Sequence, residues 1–522
     1  MLTNCSYSHR EPMARKLLRG QQLRAVQWKN WESRPRTNES CEIGSDPAIP
    51  CGQGNIAPYS VIADSVDHIQ QAVLFAQKHN LRLVIRNTGH DFSGRSTAPL
   101  SLQIFTHNLK NITFSENFVP EGGGKDKACT AVTIGAGVQL AELYDAVGTR
   151  GQMVVGGYSH GVGAAGGYVQ GGGHSILGPW KGMASDLALE FIVVMASGEI
   201  LTANKHKNSD LFWALRGGGG GTFGVVVSVT LRTFEDAAIT VATVNLRSET
   251  ADMAYWQIVR SFIRYLPAIS GNGRSGNLIG TPMMPAADGT STTADLSMKL
   301  YFVNESSVEK TKRLLLPFTE PLKDLAGNRP QLNITTYQSV SEFYVTTLGA
   351  PDFTGSSVLF LSRLISHRFL ASSRGPGKLS EAIQRLGYNA TDTFSINFVA
   401  GDQVARNGAA VDSALNPAWR EALVHVILSH GWLGYKSFDD QRQVQDGITH
   451  HQEPILRSLE PGRMGAYLNE ANPQQQNFQH EFWGNKYPRL YAIKRHYDPF
   501  DLFITRLGVG SENWDDEGVC RL

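Results

Sequence analysis

Clustered glycines mark the part of the chain whose residues could bind a ligand. Of the 53 glycines, 19 lie within 151–224, and 14 of these form three sets at 156–157, 163–174 and 216–224. Glycines allow positive φ and let backbone N–H groups approach a ligand without a Cβ in the way, which is how backbone nests hold phosphate. A fourth loop, Arg-Asn-Thr-Gly-His-Asp at 86–91, follows a short apolar run. Together these loops favour an extended, anionic, flat ligand, and a flavin dinucleotide has that shape.

Other nucleotide and metal sites do not fit these residues. A Rossmann fingerprint needs a strand, one GxGxxG and a helix, with an acidic residue about 20 positions later, and that arrangement is absent. The chain also has no GxxxxGK[ST] run of the Walker type, and no CxxC pair or His/Cys cluster that predicts a metal site. The sequence therefore predicts no metal.

The spacing of apolar residues predicts the strands and helices that position these loops, and it differs between two parts of the chain. Helical spacing over 64–80 leads into a strand at 81–86, a strand at 131–138 leads into a helix at 139–151, and a β-branched run predicts a strand at 224–234. From 237 to 460, predicted strands alternate with predicted helices. The strands are 241–247, 295–303, 357–363 and 394–399, and the helices are 251–266, 308–316 and 378–387. This pattern indicates a second α+β unit with one sheet backed by helices.

The composition argues against nucleic acid and membrane as binding partners. With 48 basic and 47 acidic side chains and a net charge of +1, the chain lacks the basic excess of a nucleic-acid-binding protein. No apolar run reaches the roughly 18 residues that cross a bilayer, so we expect a soluble protein without a membrane partner.

The compartment is left open. Six Asn-x-Ser/Thr sequons, at Asn4, Asn38, Asn111, Asn304, Asn333 and Asn389, and a possible Cys41–Cys51 bridge favour secretion. The N-terminus shows no signal-peptide apolar region. We expect a secreted or extracellular protein if a leader precedes this chain, and an intracellular protein otherwise.

Four long segments carry a resemblance to a known family. They are RNTGHDFSGRSTAPLSLQIFTHNLKNI (86–112), GGYVQGGGHSILGPWKGMASDLALEFIVVMASGEI (166–200), NSDLFWALRGGGGGTFGVVVSVTLRTF (208–234) and YPRLYAIKRHYDPFDLFITRLGVGSENW (487–514). In this order they resemble the FAD-linked oxidoreductases of the vanillyl-alcohol-oxidase superfamily. Within it they are similar to the berberine-bridge-enzyme-like branch, and in particular to its fungal isoamyl-alcohol-oxidase-like oxidases.

The resemblance implies an α+β fold with a FAD-binding domain of the PCMH type. That domain has two subdomains and is split by the chain, with a substrate domain inserted between its parts. We therefore expect an N-terminal extension (1–53), the FAD-binding domain (54–236), the substrate domain with an antiparallel sheet backed by helices (237–460), and a C-terminal segment that returns to the FAD domain (461–522). The flavin ring would lie at the interface.

The resemblance also implies that His90 is bonded covalently to the flavin 8α-methyl carbon. An imidazole nitrogen is nucleophilic at neutral pH, and a covalent link fixes the ring and raises its redox potential. Many relatives have a second attachment through the cysteine of a Gly-Gly-x-Cys-Pro-Thr-Val-Gly run, but residues 156–163 here read Gly-Gly-Tyr-Ser-His-Gly-Val-Gly. Because Ser159 stands at the cysteine position and supplies no thiolate, we expect FAD to be attached through His90 only.

Further residues are assigned to the cofactor by the same resemblance. The loop around His90 is expected on the pyrophosphate side, the second glycine set along the ribityl chain and ring, and 218–226 along the adenine half. Besides His90 and Ser159, the expected cofactor-binding residues are Arg86, Asn87, Thr88, Gly89, Asp91, Ser93, Gly163, Gly166, Gly167, Gln170, Gly171, Gly172, Gly173, His174, Gly221, Gly224, Val225, Val226, Tyr467 and Asn469.

Tyr467 and Asn469 match a YxN motif that in relatives reaches the flavin ring or the substrate, so they are the catalytic candidates. A phenol accepts a substrate hydroxyl proton if its pKa is lowered; the alternative is a buried tyrosine hydrogen-bonded across the domain interface. In the inserted domain we expect Asp402, His425 and His430 to cover the sheet rather than to line a pocket.

The expected activity is that of a flavin oxidase. Hydride would leave a C–H bond next to oxygen or nitrogen in a small organic or secondary-metabolite substrate, and O2 would reoxidise the flavin to give H2O2. Two alternatives stay open: a flavin-dependent dehydrogenase or oxidative cyclase of secondary metabolism, and a flavin-free ligand-binding protein or cyclase on the same fold. We expect a monomer.

Overall fold

The structure is a computed structural model that describes residues 27–35, 37–40, 48, 52–124, 128–285, 291–322, 331–347, 355–432 and 436–522. Cys41, Cys51 and Asn4 lie outside the described residues, so the predicted bridge and the first sequon stay predictions. The five other sequon asparagines are exposed, as glycosylation requires. Among the described residues, no helix is both long and apolar enough to cross a bilayer.

A small parallel sheet opens the first unit and carries the His90 loop. Its strands are β1 (Tyr59–Ile62), β2 (Arg82–Arg86) and β3 (Ser101–Phe105), in the order β1-β3-β2. Helix α1 (Val66–Lys78) precedes β2 and buries Ile69, Ala72, Val73 and Ala76, whose spacing places them on one helix face. The His90 loop therefore begins where β2 ends, at the carboxyl edge of the sheet.

An antiparallel sheet forms the second half of this unit and holds the glycine-rich loops. Its strand order is β4-β5-β9-β7-β8, and a separate pair joins β6 to β10. The bounds are β4 (Ile112–Phe118), β5 (Cys129–Gly135), β6 (Gln152–Met153), β7 (Ala188–Val194), β8 (Ile200–Asn204), β9 (Val225–Arg232) and β10 (Phe234–Glu235), with helices α2 (Leu140–Gly148), α3 (Gly178–Lys181) and α4 (Ser209–Leu215). The first two glycine sets lie between β6 and α3, and the third lies between α4 and β9.

A seven-stranded antiparallel sheet forms the second unit. Its order is β14-β11-β13-β12-β16-β17-β15. The strands are β11 (Ile239–Ser248), β12 (Arg274–Pro285), β13 (Thr292–Val303), β14 (Gln331–Tyr337), β15 (Ser357–Ser366), β16 (Thr393–Phe398) and β17 (Ala422–Trp432). The helices are α5 (Met253–Ile269), α6 (Val308–Thr319), α7 (Val340–Thr347), α8 (His367–Ala371), α9 (Gly375–Gln384), α10 (Asp402–Ala410), α11 (Ala418–Glu421), α12 (Phe438–Asp446) and α13 (Glu453–Arg457).

The two faces of this sheet have different neighbours because side chains alternate along each strand. Val424, Val426 and Leu428 of β17 share a core with helix residues such as Phe262 of α5. On β11, Val241 points the other way and joins the core of the first unit. One face is thus backed by helices and the other packs against the first unit, which confirms the predicted fold class.

The C-terminal segment packs into the first unit. Helices α14 (Phe478–Trp483) and α15 (Tyr487–Tyr497) bury Trp483, Leu490 and Ile493 in the core that also contains the five-stranded sheet. Beyond α15, Phe503 forms a parallel bridge with Leu83 of β2. The residues between α13 and α14 consequently cross the interface between the two units, and Tyr467 lies in this crossing.

Candidate active site

One cleft collects most of the predicted cofactor residues. It encloses about 1360 Å³, part of it open to solvent, between the His90 loop, the glycine loops and the crossing segment. The predicted residues that line it are Asn87, Thr88, Gly89, His90, Asp91, Ser159, Gly163, Gly166, Gly167, Gln170, His174, Gly221, Gly224, Val226, Tyr467 and Asn469. The lining residues not predicted are Ile85, Phe92, Arg95, Ser96, Thr106, Ala136, Gly157, Tyr158, Val162, Ala165, Tyr168, Gly220 and Glu470.

The His90 loop is braced by its own side chains. Asp91 accepts hydrogen bonds from the backbone N–H groups of Ser93 (3.0 Å) and Ser96 (2.6 Å), so its carboxylate holds the turn. The Thr88 hydroxyl accepts from the backbone N–H of His90 at 3.4 Å. These bonds present the imidazole to the cleft on a fixed loop.

An aromatic wall lies beside the imidazole. The Phe92 ring stands edge-on to His90 at 5.6 Å between centroids, and it is stacked between Trp28 at 4.9 Å and Phe360 at 4.2 Å. Trp28 belongs to the N-terminal extension and Phe360 to β15. The wall thus joins three separate parts of the chain at the His90 loop.

Six of the predicted residues do not line the cleft. Arg86 is the last residue of β2, and its buried guanidinium lies under Gly89 and 5.4 Å from the Phe105 ring. Burial lowers the pKa of Arg86 to about 10, so it remains a cation at neutral pH. Val225 is the first residue of β9, and its side chain is buried in the core that also contains the apolar face of α1. Ser93, Gly171, Gly172 and Gly173 do not line the cleft, but each belongs to a loop whose other residues do.

The glycine loops touch one another closely. The backbone oxygen of Gln170 accepts from the N–H groups of Gly217 (2.9 Å) and Gly219 (3.0 Å). A Cβ on Gly220 would lie 3.0 Å from the Cα of Gly167, and one on Gly171 would lie 2.5 Å from Asn469 Nδ2. Side chains at these positions would separate the loops, so glycine is required for the walls to meet.

Tyr467 and Asn469 are tied to the glycine wall. Asn469 Nδ2 donates to Tyr467 Oη at 2.7 Å and to the Gly167 oxygen at 2.8 Å. Arg95 Nη2 donates to Asn469 Oδ1 at 3.0 Å and to the Leu468 oxygen at 2.9 Å. Burial, with the nearby charge of Glu470, raises the pKa of Tyr467 above its usual value. The lowered pKa that a tyrosine base needs is therefore not found, and the phenol keeps its proton at neutral pH.

Three residues from distant parts of the chain form a cluster at the inner end of this wall. Glu470 Oε2 lies 3.1 Å from His174 Nε2 and 3.4 Å from His425 Nδ1. Burial raises the pKa of the Glu470 carboxyl, but His174, through its charge and hydrogen bond, and His425 outweigh burial and hold that pKa below its usual value. Burial lowers the pKa of His425 to about 3, and the charge of Glu470 opposes that shift.

The cluster corrects one expectation and adds two residues. His425 does not merely cover the sheet: it is fully buried and faces the first unit. Asp402 agrees with the expectation, since it pairs with Arg406 and does not line the cleft, whereas His430 lines a separate pocket, where it bonds to Asp392 and Gln452. The sequence missed Arg95 and Glu470, although Glu470 directly follows the YxN motif. The ligand atoms of Glu470, His174 and His425 lie within 4.8 Å of one another, close enough to hold a metal ion.

Ser159 lies in the cleft with His90, and none of the described lining residues is a cysteine. The two described cysteines, Cys129 and Cys520, lie elsewhere with free thiols. The cleft is walled by glycine backbone, contains a nucleophilic imidazole, and has the cations Arg95 and Arg86 in or behind its wall. These features fit an anionic dinucleotide with a flat ring. The residues present thus fit FAD.

Comparisons with known proteins agree with this geometry. Residues 57–204 match a FAD binding domain and residues 466–510 a berberine and berberine-like domain. An uncharacterized FAD-linked oxidoreductase of Arthroderma benhamiae is 46% identical over 507 residues, 96% of this chain and 86% of that protein. The FAD-linked oxidoreductase malF of Malbranchea aurantiaca is 42% identical over 504 residues, 95% of this chain and 82% of that protein.

Solved structures show the same fold. The VAO-type flavoprotein MtVAO615 of Myceliophthora thermophila C1 superposes with a TM-score of 0.85 at 29% identity, covering 99% of this chain and 92% of that one. MtVAO713 of the same organism gives 0.87 at 26% identity, covering 99% and 93%. The chain therefore belongs to the FAD-linked oxidoreductases of the vanillyl-alcohol-oxidase type, in the branch that carries a berberine-bridge-enzyme-like C-terminal domain.

Proposed function

We propose that this FAD-linked oxidoreductase is an oxidase. It takes hydride from a C–H bond next to oxygen or nitrogen in a small organic or secondary-metabolite substrate, and O2 then takes up the electrons to give H2O2. FAD supplies the hydride acceptor when bound. The observation that carries the proposal is one glycine-walled cleft that holds both the nucleophilic His90 and the carboxylate Glu470.

His90 is proposed to hold the cofactor covalently. Its loop is fixed by the Asp91 turn and its ring is flanked by Phe92, so the imidazole loses little additional freedom on attachment. Forming the bond to the 8α carbon would replace one N–H and one C–H bond by a C–N bond, and O2 would take the two electrons and two protons released to give H2O2. Ser159 has no thiol, so the same cleft offers no second attachment at that position.

The crossing segment is proposed to orient the substrate and the cofactor. Tyr467 keeps its proton and can donate a hydrogen bond, while Asn469 fixes the phenol through its amide. Arg95 lies behind Asn469 with its guanidinium against the Leu468 carbonyl. This arrangement places a donor, a cation and the Glu470 carboxylate along one wall, which suits a substrate that carries a hydroxyl or amine.

Anaerobic reduction tests the proposal. The purified holoprotein is mixed under nitrogen with a panel of primary alcohols, benzylic alcohols, sugars and cyclic amines while the flavin absorbance is followed, and air is then admitted. An oxidase is bleached by at least one compound and returns one H2O2 per flavin. Bleaching without peroxide would instead support the dehydrogenase or oxidative cyclase alternative. A colourless protein would support a flavin-free function.

Two further properties belong to the proposal. We propose that the enzyme works as a monomer, which light scattering of the purified protein tests. Exposed sequons such as Asn111 and Asn389 support secretion, and glycan analysis of protein isolated from its source tests it. Unmodified asparagines at all six sequons would favour an intracellular location.

A further inference from the structure

The side chains of Glu470, His174 and His425 meet because three elements converge at the interface between the two units. His425 lies in β17, where Val424, Val426 and Leu428 face the helices. Alternation along the strand therefore turns His425 to the opposite face, toward the first unit. His174 ends the second glycine set, and Glu470 follows the YxN motif. We call these three residues the carboxylate cluster.

The Glu470 carboxylate has one oxygen engaged by the imidazoles, and its side chain lines the cleft. Oε2 lies against both imidazoles, at 3.1 and 3.4 Å. Oε1 accepts no hydrogen bond from any residue in the described part of the chain. The Glu470 side chain is 19% exposed and lines the cleft. A carboxylate held on one oxygen and open on the other can receive a proton from a bound molecule.

His425 is difficult to explain as a structural residue. It has no exposed surface, and neither of its ring nitrogens forms a hydrogen bond with a described residue. A buried polar group without a partner costs free energy that an apolar residue would not. Trp419 and Tyr467 flank the ring, at 5.6 and 5.8 Å between centroids, and fix its orientation toward Glu470. This cost in free energy is explained if the function of His425 is to position the Glu470 carboxylate.

We propose that Glu470, rather than Tyr467, accepts the proton that the substrate releases, and that His174 and His425 position and stabilise its carboxylate. The inference rests on the proposed function. For an alcohol, the C–H hydrogen leaves with both electrons as hydride to the cofactor, and the hydroxyl proton passes to Glu470. The substrate becomes a carbonyl compound and Glu470 a neutral acid. O2 then takes the hydride together with the Glu470 proton, which gives H2O2 and restores the carboxylate.

The charges around Glu470 agree with this role. His174, His425 and His90 favour the ionised carboxylate, while burial opposes it, and the pKa of Glu470 is held below its usual value. The other ionisable groups facing the cluster are Tyr467 and Tyr168, both with pKa values raised by burial, and Arg95, whose partner is Asp91. Glu470 is thus the ionised base on this wall at neutral pH.

Stopped-flow reduction with a substrate from the panel gives the first test. We expect Glu470→Gln to lower the rate of flavin reduction by about 10²- to 10⁴-fold, the usual contribution of a general base, and to remove the acidic limb of its pH profile. His425→Asn should shift that limb to higher pH. The matched control is His430→Asn, also buried on β17 but on its opposite face, where it bonds to Asp392 and Gln452. It should leave the profile unchanged.

Proton uptake on reduction gives a second test that needs no substrate. Negative charge added to the cleft by reduction raises the pKa of a nearby carboxylate, so Glu470 should bind a proton when the flavin is reduced. The pH dependence of the midpoint potential, measured by dye equilibration, should show one proton fewer per flavin in Glu470→Gln than in wild type and His430→Asn. Flavin content and thermal midpoint of each variant show whether it is folded.

Several results would overturn the inference. Glu470→Gln with wild-type reduction rate and proton uptake would do so while leaving the oxidase proposal intact. Loss of the acidic limb in Tyr467→Phe but not in Glu470→Gln would assign the proton to the phenol. A stoichiometric metal in the purified holoprotein, lost in Glu470→Gln, would assign the cluster to metal binding. A protein without flavin would remove the proposed function and this inference together.

Discussion

Replacing Lys494 with methionine should destabilise the wall of the cleft. The ammonium group of Lys494 is buried, and it donates to Asp498 Oδ2 (2.6 Å) and to the backbone oxygens of Phe503 (2.6 Å) and Thr222 (2.8 Å). Thr222 lies within the third glycine set, directly after Gly220 and Gly221, which line the cleft. One side chain therefore joins α15, the C-terminal strand bridge and the cofactor loop.

The magnitude follows from what the substitution leaves behind. Removing one partner of a buried ion pair costs about 3–5 kcal/mol, because the remaining charge is uncompensated. Asp498 keeps hydrogen bonds from the N–H groups of Leu502 (2.8 Å) and Phe503 (2.9 Å), which favours the lower end, about 3 kcal/mol. That is a large part of a typical stability of about 5–15 kcal/mol. Flavin incorporation should fall as well, since the Thr222 carbonyl loses its anchor.

Urea unfolding followed by tryptophan fluorescence, together with flavin bound per chain, measures both effects. The matched control is Lys312→Met, whose partner Glu309 is 2.8 Å away in an exposed pair; exposed pairs contribute about 0–1 kcal/mol. The double variant Lys494→Met with Asp498→Leu should recover part of the loss, because no buried charge remains. If Lys494→Met unfolded at the same urea concentration as Lys312→Met, the anchoring role would be refuted.

Three other substitutions test separate parts of the site. Ser159→Cys should provide the missing thiol, so that a His90→Ala, Ser159→Cys double variant keeps flavin in an acid precipitate while His90→Ala alone does not. Trp28→Ala removes one side of the stack on Phe92 and should lower the covalently bound fraction of flavin in the same assay. Burial lowers the pKa of His425 from the ordinary 6.5 to about 3. As pH drops from 6.5 toward 3, the unfolded chain therefore binds a proton at His425 before the folded chain does, and the free energy of unfolding falls. His425→Asn should make that fall shallower when the free energy of unfolding is measured with urea at each pH.

Each of these three predictions has an outcome that would contradict it. Flavin lost from the Ser159→Cys double variant would mean that this position does not face the ring. An unchanged covalent fraction in Trp28→Ala would leave the aromatic wall without a role in attachment. An equally steep pH dependence in His425→Asn would place the acid-sensitive group elsewhere, and His107, whose pKa burial lowers to about 4, would be the next candidate.

Local periodicity located the strands and helices that it predicted. The predicted helix at 64–80 corresponds to α1 (Val66–Lys78), and the predicted strand at 224–234 to β9 (Val225–Arg232). Both carry a single apolar pattern that local sequence determines. The clustered glycines already indicated a ligand site, and the resemblance added the roles of His90 and Ser159; these loops and residues lie in or directly beside one cleft.

The directions of side chains and the contacts between distant residues could not be predicted from the sequence. Arg86 belongs to the same motif as His90, but it is still part of β2 and points into the protein. The role of His425 depends on which face of β17 meets the first unit, and strand alternation alone does not tell the two faces apart. Glu470 becomes a candidate base only when the fold brings it to His174 and His425.

Acid precipitation of the purified protein, followed by spectroscopy and mapping of the flavin-bearing peptide, shows whether FAD is bound covalently and at which residue. We expect a yellow precipitate whose flavin is on the peptide containing His90, with no flavin on the peptide containing Ser159. Flavin released entirely into the supernatant, or a protein that never carries flavin, would contradict this expectation.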